Sequence, residues 1–510
     1  MKPAVTEKCV LPSTRFFYLY VCVTGAAVMM LEFAASRIVA PWFGSSIFVW
    51  GNIIGAILIA LSLGYWLGGR LADKQPDMRR LTIIVYVAGL FVSIIPLLVF
   101  FLTQNFSLLE FYSGSSVWLT IIGSFLVIIG LFALPVGLLG MVSPFVIRLA
   151  TTKVESAGSV AGGLYAWSTL GSILGTFGTA FVFIPFLGSR ETILLSAVNL
   201  LAIAAAGFRR SGWLWLGLVL PLMVYLVIGR QPLRAAAATI TQTESMYQFI
   251  DVADDGDRYS LRFNEGLGTQ SYYMKQGVLT DSYYDYLALL PSLITPANQP
   301  PRALVLGLAG GTLTRELHEF YPEYQLTGVE IDPAVVELAR QYFALDEQQV
   351  DIHIQDGRSF LRVSNERYNI IYVDAFANEY YIPWHLTTVE FFQTVSDHLT
   401  ENGVVAMNIG STSEEAKLFQ AFLATLAEVF PQVYVALVPG SLNYVVVAGQ
   451  KALSTEPLQA IQDERYNLAT SLQQNWHPAN VGVNATILTD NRAPIELYTE
   501  GMIWNYLYGL

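Results

Sequence analysis

Residues 303–311 read Ala303-Leu304-Val305-Leu306-Gly307-Leu308-Ala309-Gly310-Gly311, a short apolar run that ends in a glycine-rich turn. Short apolar runs of this kind predict buried strands of a parallel sheet. Open α/β sheets bind ligands beyond the carboxyl ends of such strands, so strand ends that carry polar groups predict a ligand site. Three further stretches end in carboxylates in the same way: Val329-Glu330-Ile331-Asp332, Gln355-Asp356-Gly357 and Tyr372-Val373-Asp374.

Strands and helices alternate from about residue 300 onward. This alternation predicts a parallel sheet that is covered on both faces. The last two strands are separated only by Pro439-Gly440, which predicts an antiparallel hairpin at one edge. Seven strands with such a hairpin resemble the Rossmann-like, nucleoside-binding sheet of class I methyltransferases. The predicted strands are 303–306, 326–331, 350–354, 369–373, 403–408, 433–438 and 443–448, and the helices lie near 312–320, 334–343, 389–399 and 414–429.

Shorter strands precede this sheet and are separated by Asp/Gly turns. They are predicted at Tyr247–Val252, Tyr259–Phe263 and Thr269–Lys275. Together these patterns predict a multi-pass α-helical membrane bundle fused to a small β-domain and an α/β sheet. The predicted domains are a transmembrane bundle at 1–235, a small β-strand domain at 236–298 and a Rossmann-like catalytic domain at 299–510.

Charge separates the two parts of the chain. Residues 1–235 contain 15 Lys and Arg against 7 Asp and Glu, whereas residues 236–510 contain 13 against 33. A basic, apolar part and an acidic part suit lipid and water respectively. The acidic part has no basic stripe, which argues against nucleic acid as a partner. Both cysteines, Cys9 and Cys22, lie in the first part, so no Cys/His metal site is expected in the second.

Seven apolar stretches in the first part are each close to the roughly 20 residues that cross a bilayer. The basic residues that follow the second, fourth and sixth stretches define a cytoplasmic face. Seven crossings would place the second part outside the cytoplasm, whereas an eighth, hidden within 117–149, would return it. We predict a cell (inner) membrane protein and favour a cytoplasmic catalytic domain, because nucleoside substrates are found there. The stretches lie near 16–40, 47–69, 81–103, 117–139, 160–184, 191–208 and 212–229.

Two kinds of residue stand out within the apolar stretches. Glu32 and Arg37 lie inside the first stretch, and charges at membrane depth mark functional sites by default. The alternative is that they pair with each other or with backbone carbonyls and so orient the helix. Gly64–Gly68 and Gly171–Gly175 are small-xxx-small patterns, which predict close helix packing rather than transport.

The first two strand ends of the second part fit a nucleoside. The turn Gly307–Gly311 lets the backbone approach a ligand closely. Glu330 follows about 20 residues later, the spacing of a carboxylate that binds ribose hydroxyls. Asp332 is either a second ligand or the cap of the next helix, which a proline begins.

The next two strand ends add an adenine site and a base. Asp356 would accept from the exocyclic amine of adenine, and Gly357 would leave room for the ring; the alternative is a plain turn. Asp374 ends the most apolar strand, so burial would raise its pKa and suit it to base chemistry. Aromatic residues follow Asp374, and aromatics near acids suit an organic cation. His385 is interpreted as a structural hydrogen-bonding residue rather than as a catalyst.

These motifs resemble the polyamine aminopropyltransferase (spermidine synthase) family and, more specifically, its membrane-fused bacterial branch. The similarity covers roughly residues 240–450. The matching motifs are Glu244-Ser245-Met246-Tyr247-Gln248, Gln270-Ser271, Gly307 through Arg315-Glu316, Val329 through Asp332, Asp356-Gly357, Val373-Asp374 and Leu386 through Phe392, with Gly44-Ser45-Ser46, Gly68 through Asp73 and Thr489-Asp490 resembling the membrane-fused branch.

The resemblance implies transfer of an aminopropyl group from decarboxylated S-adenosylmethionine to an amine, with release of methylthioadenosine. It implies no permanently bound cofactor, and the soluble relatives commonly pair, which allows a homodimer. Asp374 would orient or deprotonate the amine. The nucleoside contacts would come from Gln248, Gly307, Gly311, Glu330, Asp332, Asp356 and Gly357. The remaining substrate contacts would come from Gln270, Tyr283, Asp285 and Tyr380.

The sequence departs from the family pattern where cationic groups would be held. The family's glycine loop usually carries an Asp where this chain has Gly310. A second Asp usually follows the catalytic one by three residues, where this chain has Ala377, and a Tyr-His pair is replaced by Tyr283-Tyr284. The candidates to substitute for these carboxylates are Asp281, Asp285 and Glu379.

Two other functions remain open from the sequence. One is an S-adenosylmethionine-dependent methyltransferase that acts on an amphipathic substrate. The other is a transporter or sensor whose second part binds a nucleoside or polyamine without turnover. The released product separates the two enzymes, because methyl transfer yields S-adenosylhomocysteine.

Overall fold

The computed structural model describes residues 14–43, 47–105, 117–151, 153–207, 212–229, 231, 238–264, 268–296, 300–375 and 382–508. The chain divides into two compact units. The first contains Met1–Ala235 with Glu244–Phe249, and the second contains Ala236–Thr243 with Ile250–Leu510. The short segment Glu244–Phe249 is therefore grouped with the first unit, although both strands that flank it run into the second.

The described residues of the first unit are mainly helical. Short π-helical turns join α4 to α5 and α7 to α8, and a 3₁₀ segment leads into α10. The helices are α1 (Thr14–Phe43), α2 (Ile47–Lys74), α3 (Met78–Asn105), α4 (Val117–Ile128), α5 (Leu134–Gly140), α6 (Val142–Ala150), α7 (Ala157–Gly178), α8 (Ile184–Leu187), α9 (Ser189–Gly207) and α10 (Val219–Ile228).

Six helical segments among the described residues are long and apolar enough to cross a membrane. The seventh predicted stretch, near 212–229, forms the shorter apolar helix Gly212–Ile228. The six are Arg15–Ala40, Ile47–Lys74, Met78–Leu102, Ile121–Ala150, Val154–Leu187 and Ser189–Gly207.

Glycines bring α1 and α7 into close contact. A Cβ at Gly171 would collide with the backbone of Cys22, and a Cβ at Gly175 would lie 2.8 Å from the Cα of Ala26. Any larger side chain would therefore push the two helices apart. The predicted packing role of the pattern Gly171–Gly175 is confirmed.

The segment Glu244–Phe249 is hydrogen-bonded within the first unit. The guanidinium of Arg37 donates to the carbonyl of Met246. The backbone amide and the hydroxyl of Ser189, the first residue of α9, donate to the Glu244 carboxylate at 2.7 and 2.8 Å. A carboxylate at a helix N-terminus satisfies backbone donors that have no partner within the helix.

A four-stranded sheet of sequential order precedes the large sheet. Its strands are β1 (Thr239–Glu244), β2 (Phe249–Asp254), β3 (Arg258–Phe263) and β4 (Thr269–Met274). β1 was not predicted, and the prediction that a strand begins at Tyr247 is wrong. The Ser245 hydroxyl accepts from the amides of Tyr247 and Gln248, both at 3.0 Å, and so forms a turn there.

The large sheet has eight strands in the order β12-β10-β11-β9-β8-β5-β6-β7. The helices that precede, separate and follow these strands are α11 (Tyr283–Leu287), α12 (Thr312–Phe320), α13 (Pro333–Tyr342), α14 (Gly357–Val363), α15 (Val389–Asp397), α16 (Lys417–Val429), α17 (Tyr466–Asn475) and α18 (Ile495–Tyr508). The strands are β5 (Arg302–Leu306), β6 (Gln325–Glu330), β7 (Val350–Ile354), β8 (Tyr368–Val373), β9 (Leu399–Gly410), β10 (Gln432–Leu437), β11 (Asn443–Gly449) and β12 (His477–Pro478).

The predicted seven strands are confirmed as β5 to β11, and β12 adds a two-residue eighth. The strands β7, β6, β5, β8 and β9 pair in parallel, whereas β11 pairs antiparallel with both β9 and β10. The predicted edge hairpin therefore exists, with β11 inserted between β9 and β10. The carboxyl ends of β5, β6 and β8 consequently meet at one edge of the sheet.

Candidate active site

The ends of β5 and β8 meet at Gly307 and Asp374. The Asp374 amide donates to the carbonyl of Leu306 at 2.9 Å. Gly307 has φ +90°, and a Cβ there would lie 2.7 Å from the Cα of Ala375. Only glycine accepts both this backbone conformation and this approach. The predicted close approach at Gly307 is thus required by the protein's own backbone.

The Asp374 carboxylate pairs with the Tyr283 phenol. The phenol oxygen lies 3.1 and 3.3 Å from the two carboxylate oxygens. Burial raises the pKa of Asp374 to about 7, although the hydrogen bond from Tyr283 acts in the opposite direction. Burial, followed by the charge of Asp374, holds the pKa of Tyr283 well above its ordinary value. Asp374 is therefore suited to accept a proton near neutral pH while Tyr283 stays a donor.

The ring of Tyr284 packs against the ring of Tyr283. The two rings have centroids 4.2 Å apart. The Tyr284 hydroxyl donates to the carbonyl of Gln270 at 2.6 Å. This hydrogen bond holds the backbone of Gln270 next to α11. Contact of the Gln270 side chain with a substrate stays a prediction.

Asp285 has a structural role. Its carboxylate is 1% exposed and accepts from the Thr280 amide, the Thr280 hydroxyl and the Asp281 amide at 2.7–2.9 Å. These bonds fix the turn that leads into Tyr283. The predicted contact of Asp285 with substrate stays a prediction, and its side chain is already occupied by this turn.

Glu330 binds the glycine loop. Its oxygens accept from the amides of Ala309 at 2.9 Å and Asp332 at 3.0 Å. Burial raises the pKa of Glu330 to about 7, and these two amide bonds act to lower it. Each carboxylate oxygen keeps further acceptor capacity, which suits a diol such as ribose.

Asp332 caps a helix, the alternative that the sequence left open. Its side chain accepts from the Ala334 amide at 3.0 Å at the start of α13. The residue is fully buried. A nucleoside contact by Asp332 stays a prediction.

Gly310 and Gly311 pack against the protein. The Gly310 amide donates to the Ser271 hydroxyl at 2.8 Å. A Cβ at Gly310 would lie 2.7 Å from the Cβ of Ser271 and 2.9 Å from a ring carbon of Phe343. Gly311 adopts φ +79°. An aspartate at position 310 would therefore require both neighbours to move. The packing around this position thus suits the glycine that this chain has in place of the family's aspartate.

Asp356 and His385 form a pair beyond β7. The His385 Nε2 lies 3.0 Å from one Asp356 oxygen, while the other accepts from the Ser359 amide at 2.8 Å. The bond to His385 is the main cause that lowers the pKa of Asp356. His385 thus orients a carboxylate, consistent with its structural interpretation. A Cβ at Gly357 would meet its nearest heavy atoms at 3.5 Å, so the protein leaves that space open.

A C-terminal residue completes this side of the site and was not among the predicted site residues. Asp490 accepts two hydrogen bonds of 2.7 Å from Arg358 and one of 2.8 Å from Thr388. Arg358 also donates to the carbonyl of His385 at 3.1 Å. In the sequence, Thr489-Asp490 resembles a motif of the membrane-fused branch, but Arg358 and Asp490 are 132 residues apart, so no local pattern indicates this pairing.

Two predicted contacts are not placed with the others. Tyr380 lies in 376–381, outside the described residues, as do Ala377 and Glu379. Gln248 lies in the segment grouped with the first unit, so its contact with a nucleoside stays a prediction. In the part of the chain that the structure describes, no group of three or more His, Cys, Asp or Glu side chains could hold a metal ion.

The motifs that form this site also occur in known proteins. The family described as spermine/spermidine synthase domain matches residues 280–455, which include Glu330, Asp356 and Asp374. A polyamine aminopropyltransferase of Vibrio vulnificus is 32% identical over 278 residues, which cover 51% of this chain and 90% of the relative. The chain belongs to the polyamine aminopropyltransferase family.

Other aminopropyltransferase relatives cover different shares of their length. A probable polyamine aminopropyl transferase of Bifidobacterium longum is 33% identical over 275 residues, 50% of this chain and 60% of that protein. A probable spermidine synthase of Corynebacterium glutamicum has a similar solved structure, with a TM-score of 0.41 and 21% identity over 51% of this chain and 98% of that one. The spermine/spermidine synthase match leaves the helices of the first unit outside its range.

Proposed function

We propose that this chain is a membrane-embedded aminopropyltransferase that moves an aminopropyl group from decarboxylated S-adenosylmethionine to a polyamine or related amine. The observation that supports this proposal most directly is the hydrogen-bonded pair of Asp374 and Tyr283 at the end of β8, beside the glycine loop. Burial raises the pKa of Asp374 to about 7, so its carboxylate can take the proton of an amine that must attack as a neutral nucleophile. Family membership supports the same reaction.

The proposed reaction is a single displacement. The lone pair of the amine nitrogen forms a bond to the methylene carbon next to the sulfonium, and the carbon–sulfur bond breaks with its electrons moving to sulfur. The products are methylthioadenosine and the extended amine, whose extra proton passes to Asp374. Glu330 would hold the ribose and Asp356 the adenine, so most of the acceleration would come from alignment of the two substrates.

The helices of the first unit support membrane embedding. Six of them have the length and composition of membrane spans. Large apolar side chains such as Phe186, Leu226 and Leu216 are 69–80% exposed, which suits lipid as their surroundings. We propose a multi-pass protein of the cell membrane with a cytoplasmic catalytic domain, and a homodimer as its assembly.

Methyl transfer is the second candidate, because Gly310 packs against Ser271 where the family's glycine loop usually carries the aspartate expected to grip an aminopropyl ammonium. Mass spectrometry of the products separates the two reactions. Purified protein in detergent would receive decarboxylated or ordinary S-adenosylmethionine with a panel of diamines, triamines and agmatine, beside an Asp374→Asn control. Methylthioadenosine with an extended amine, both lost in the control, would support aminopropyl transfer. S-adenosylhomocysteine would establish methyl transfer, and binding without any product would favour a sensor or transporter.

A further inference from the structure

A fully buried acid, Glu316, lies behind the turn that carries Tyr283. Glu316 belongs to α12, the helix that follows the glycine loop, and is 0% exposed. Among the described residues, no conventional hydrogen-bond donor meets either of its carboxylate oxygens. A buried carboxylate without a donor is costly, so an unpartnered one requires an explanation.

The Asp285 carboxyl is the neighbour of Glu316. It lies within hydrogen-bonding reach of Glu316, and the other charged or titratable groups that act on Glu316 or feel its charge are Arg315 and Tyr372. Two carboxylates in contact inside a protein cannot both be ionised, because neither their repulsion nor their desolvation is compensated. One proton between them converts the repulsion into a hydrogen bond.

Donors already point at the oxygens of Asp285, which accept three hydrogen bonds from Thr280 and Asp281. A proton shared by the two carboxyls would therefore reside on Glu316, with the Glu316 hydroxyl donating to Asp285. Burial and the charge of Asp285 hold the pKa of Glu316 well above its ordinary value.

The turn held by Asp285 leads directly to the reacting groups. Asp281 adopts φ +58°, a left-handed conformation that a non-glycine residue keeps only when its surroundings enforce it. Two residues later, the Tyr283 phenol reaches Asp374. Loss of the Glu316 proton would put a second negative charge behind this turn and loosen the contact of Tyr283 with Asp374.

We propose that Glu316 and Asp285 share one proton and that Glu316, acting through Asp285, is a positioning residue that holds Tyr283 against Asp374. The effect on catalysis rests on the proposed aminopropyl transfer, whereas the shared proton does not. The two parts can therefore be tested separately.

Infrared difference spectroscopy tests the shared proton without substrate. At about pH 9, Asp374 and Glu330 are ionised, so a remaining protonated-carboxyl band in wild type minus Glu316→Gln reports on position 316. We expect that band to be present. A flat difference spectrum in this region would overturn the shared proton. A protein that shows the band but no turnover would keep the shared proton and contradict the proposed reaction.

Kinetics test the positioning role. Glu316→Gln keeps an N–H donor for Asp285, whereas Glu316→Met has a similar size and no donor. We expect kcat of the Gln variant to stay within about threefold of wild type and kcat of the Met variant to fall about tenfold or more, with a smaller change in the KM of the nucleoside. Equal losses in both variants would mean that position 316 serves packing alone and would overturn the positioning role. If the Met variant does not fold, the alkaline limb of kcat decides. Ionisation of Glu316 at high pH should lower kcat of the wild type but not of the Gln variant, and the same alkaline limb in both proteins would contradict the role.

Discussion

At the residue scale, the Asp374–Tyr283 contact predicts how the rate depends on pH. Asp374 accepts a proton only when it is ionised, and its pKa is raised to about 7. We therefore expect kcat to rise about tenfold per unit as the pH increases toward about 7 and then to level off. Tyr283→Phe removes a hydrogen bond that lowers the pKa of Asp374. The rising limb of the kcat–pH profile should therefore move to higher pH. Tyr286→Phe is the matched control, because the hydroxyl of Tyr286 lies on the same helix and bonds Ser471 instead. A limb that stays in place in Tyr283→Phe would contradict the assignment.

Gly357 and Gly307 predict opposite outcomes for the same substitution. At Gly357 the protein leaves room for a methyl group, so Gly357→Ala should keep the thermal midpoint and raise the KM of the nucleoside about tenfold, or about 1.4 kcal/mol. At Gly307 a Cβ would strike the backbone of Asp374 and Ala375, and φ is +90°. Gly307→Ala should therefore lower the thermal midpoint itself. An unchanged KM in a folded Gly357→Ala protein would argue against an adenine ring at this place.

At the element scale, the C-terminal turn at Asp490 fixes the start of α14 and the loop before α15. Arg358 is 7% exposed, so removal of Asp490 leaves a buried cation without its partner. We expect Asp490→Ala to lower the free energy of unfolding by about 2 kcal/mol. The double variant with Arg358→Met should lose less than the sum of the single variants, and chemical denaturation measures all three. Additive losses would show that the pair is not coupled.

Elements with a signal in consecutive residues could be predicted from the sequence, whereas contacts between distant residues could not. The strands β5, β6, β7 and β8 were predicted to within one residue at each end, because each stops at or just before a glycine or an acid. β5 and β8 are mainly apolar runs, whereas β7 alternates apolar and polar residues. β1 was missed, since Thr239–Glu244 is polar and only half-buried and lacks the alternation that marks a strand. The pairs Asp356–His385 and Arg358–Asp490 join residues 29 and 132 positions apart, so no spacing rule could reveal them. The substrate contact of Asp285 came from the family resemblance and stays a prediction, whereas the turn that its carboxylate holds left no signal in the sequence.

At the scale of the whole molecule, the number of crossings decides where the catalytic residues lie. Six long apolar helices would return the chain to its starting side, and Gly212–Ile228 is shorter than any span-length helix described. We expect Cys9 and a cysteine introduced by Ser454→Cys, in a Cys22→Ala background, to react from the same side with a membrane-impermeant maleimide. Labelling from opposite sides would show an odd number of crossings between positions 9 and 454 and would contradict the arrangement with six crossings.

Because Glu244–Phe249 is grouped with the helices, the two units cannot be separated by a simple truncation. The backbone passes between the units three times, after Ala235, after Thr243 and after Phe249. No single cleavage therefore releases either unit whole. A fragment that begins at residue 236 carries away the hydrogen-bond partners of Ser189 and Arg37, and the helices left behind lose them. The two units are therefore interleaved along the chain rather than joined end to end.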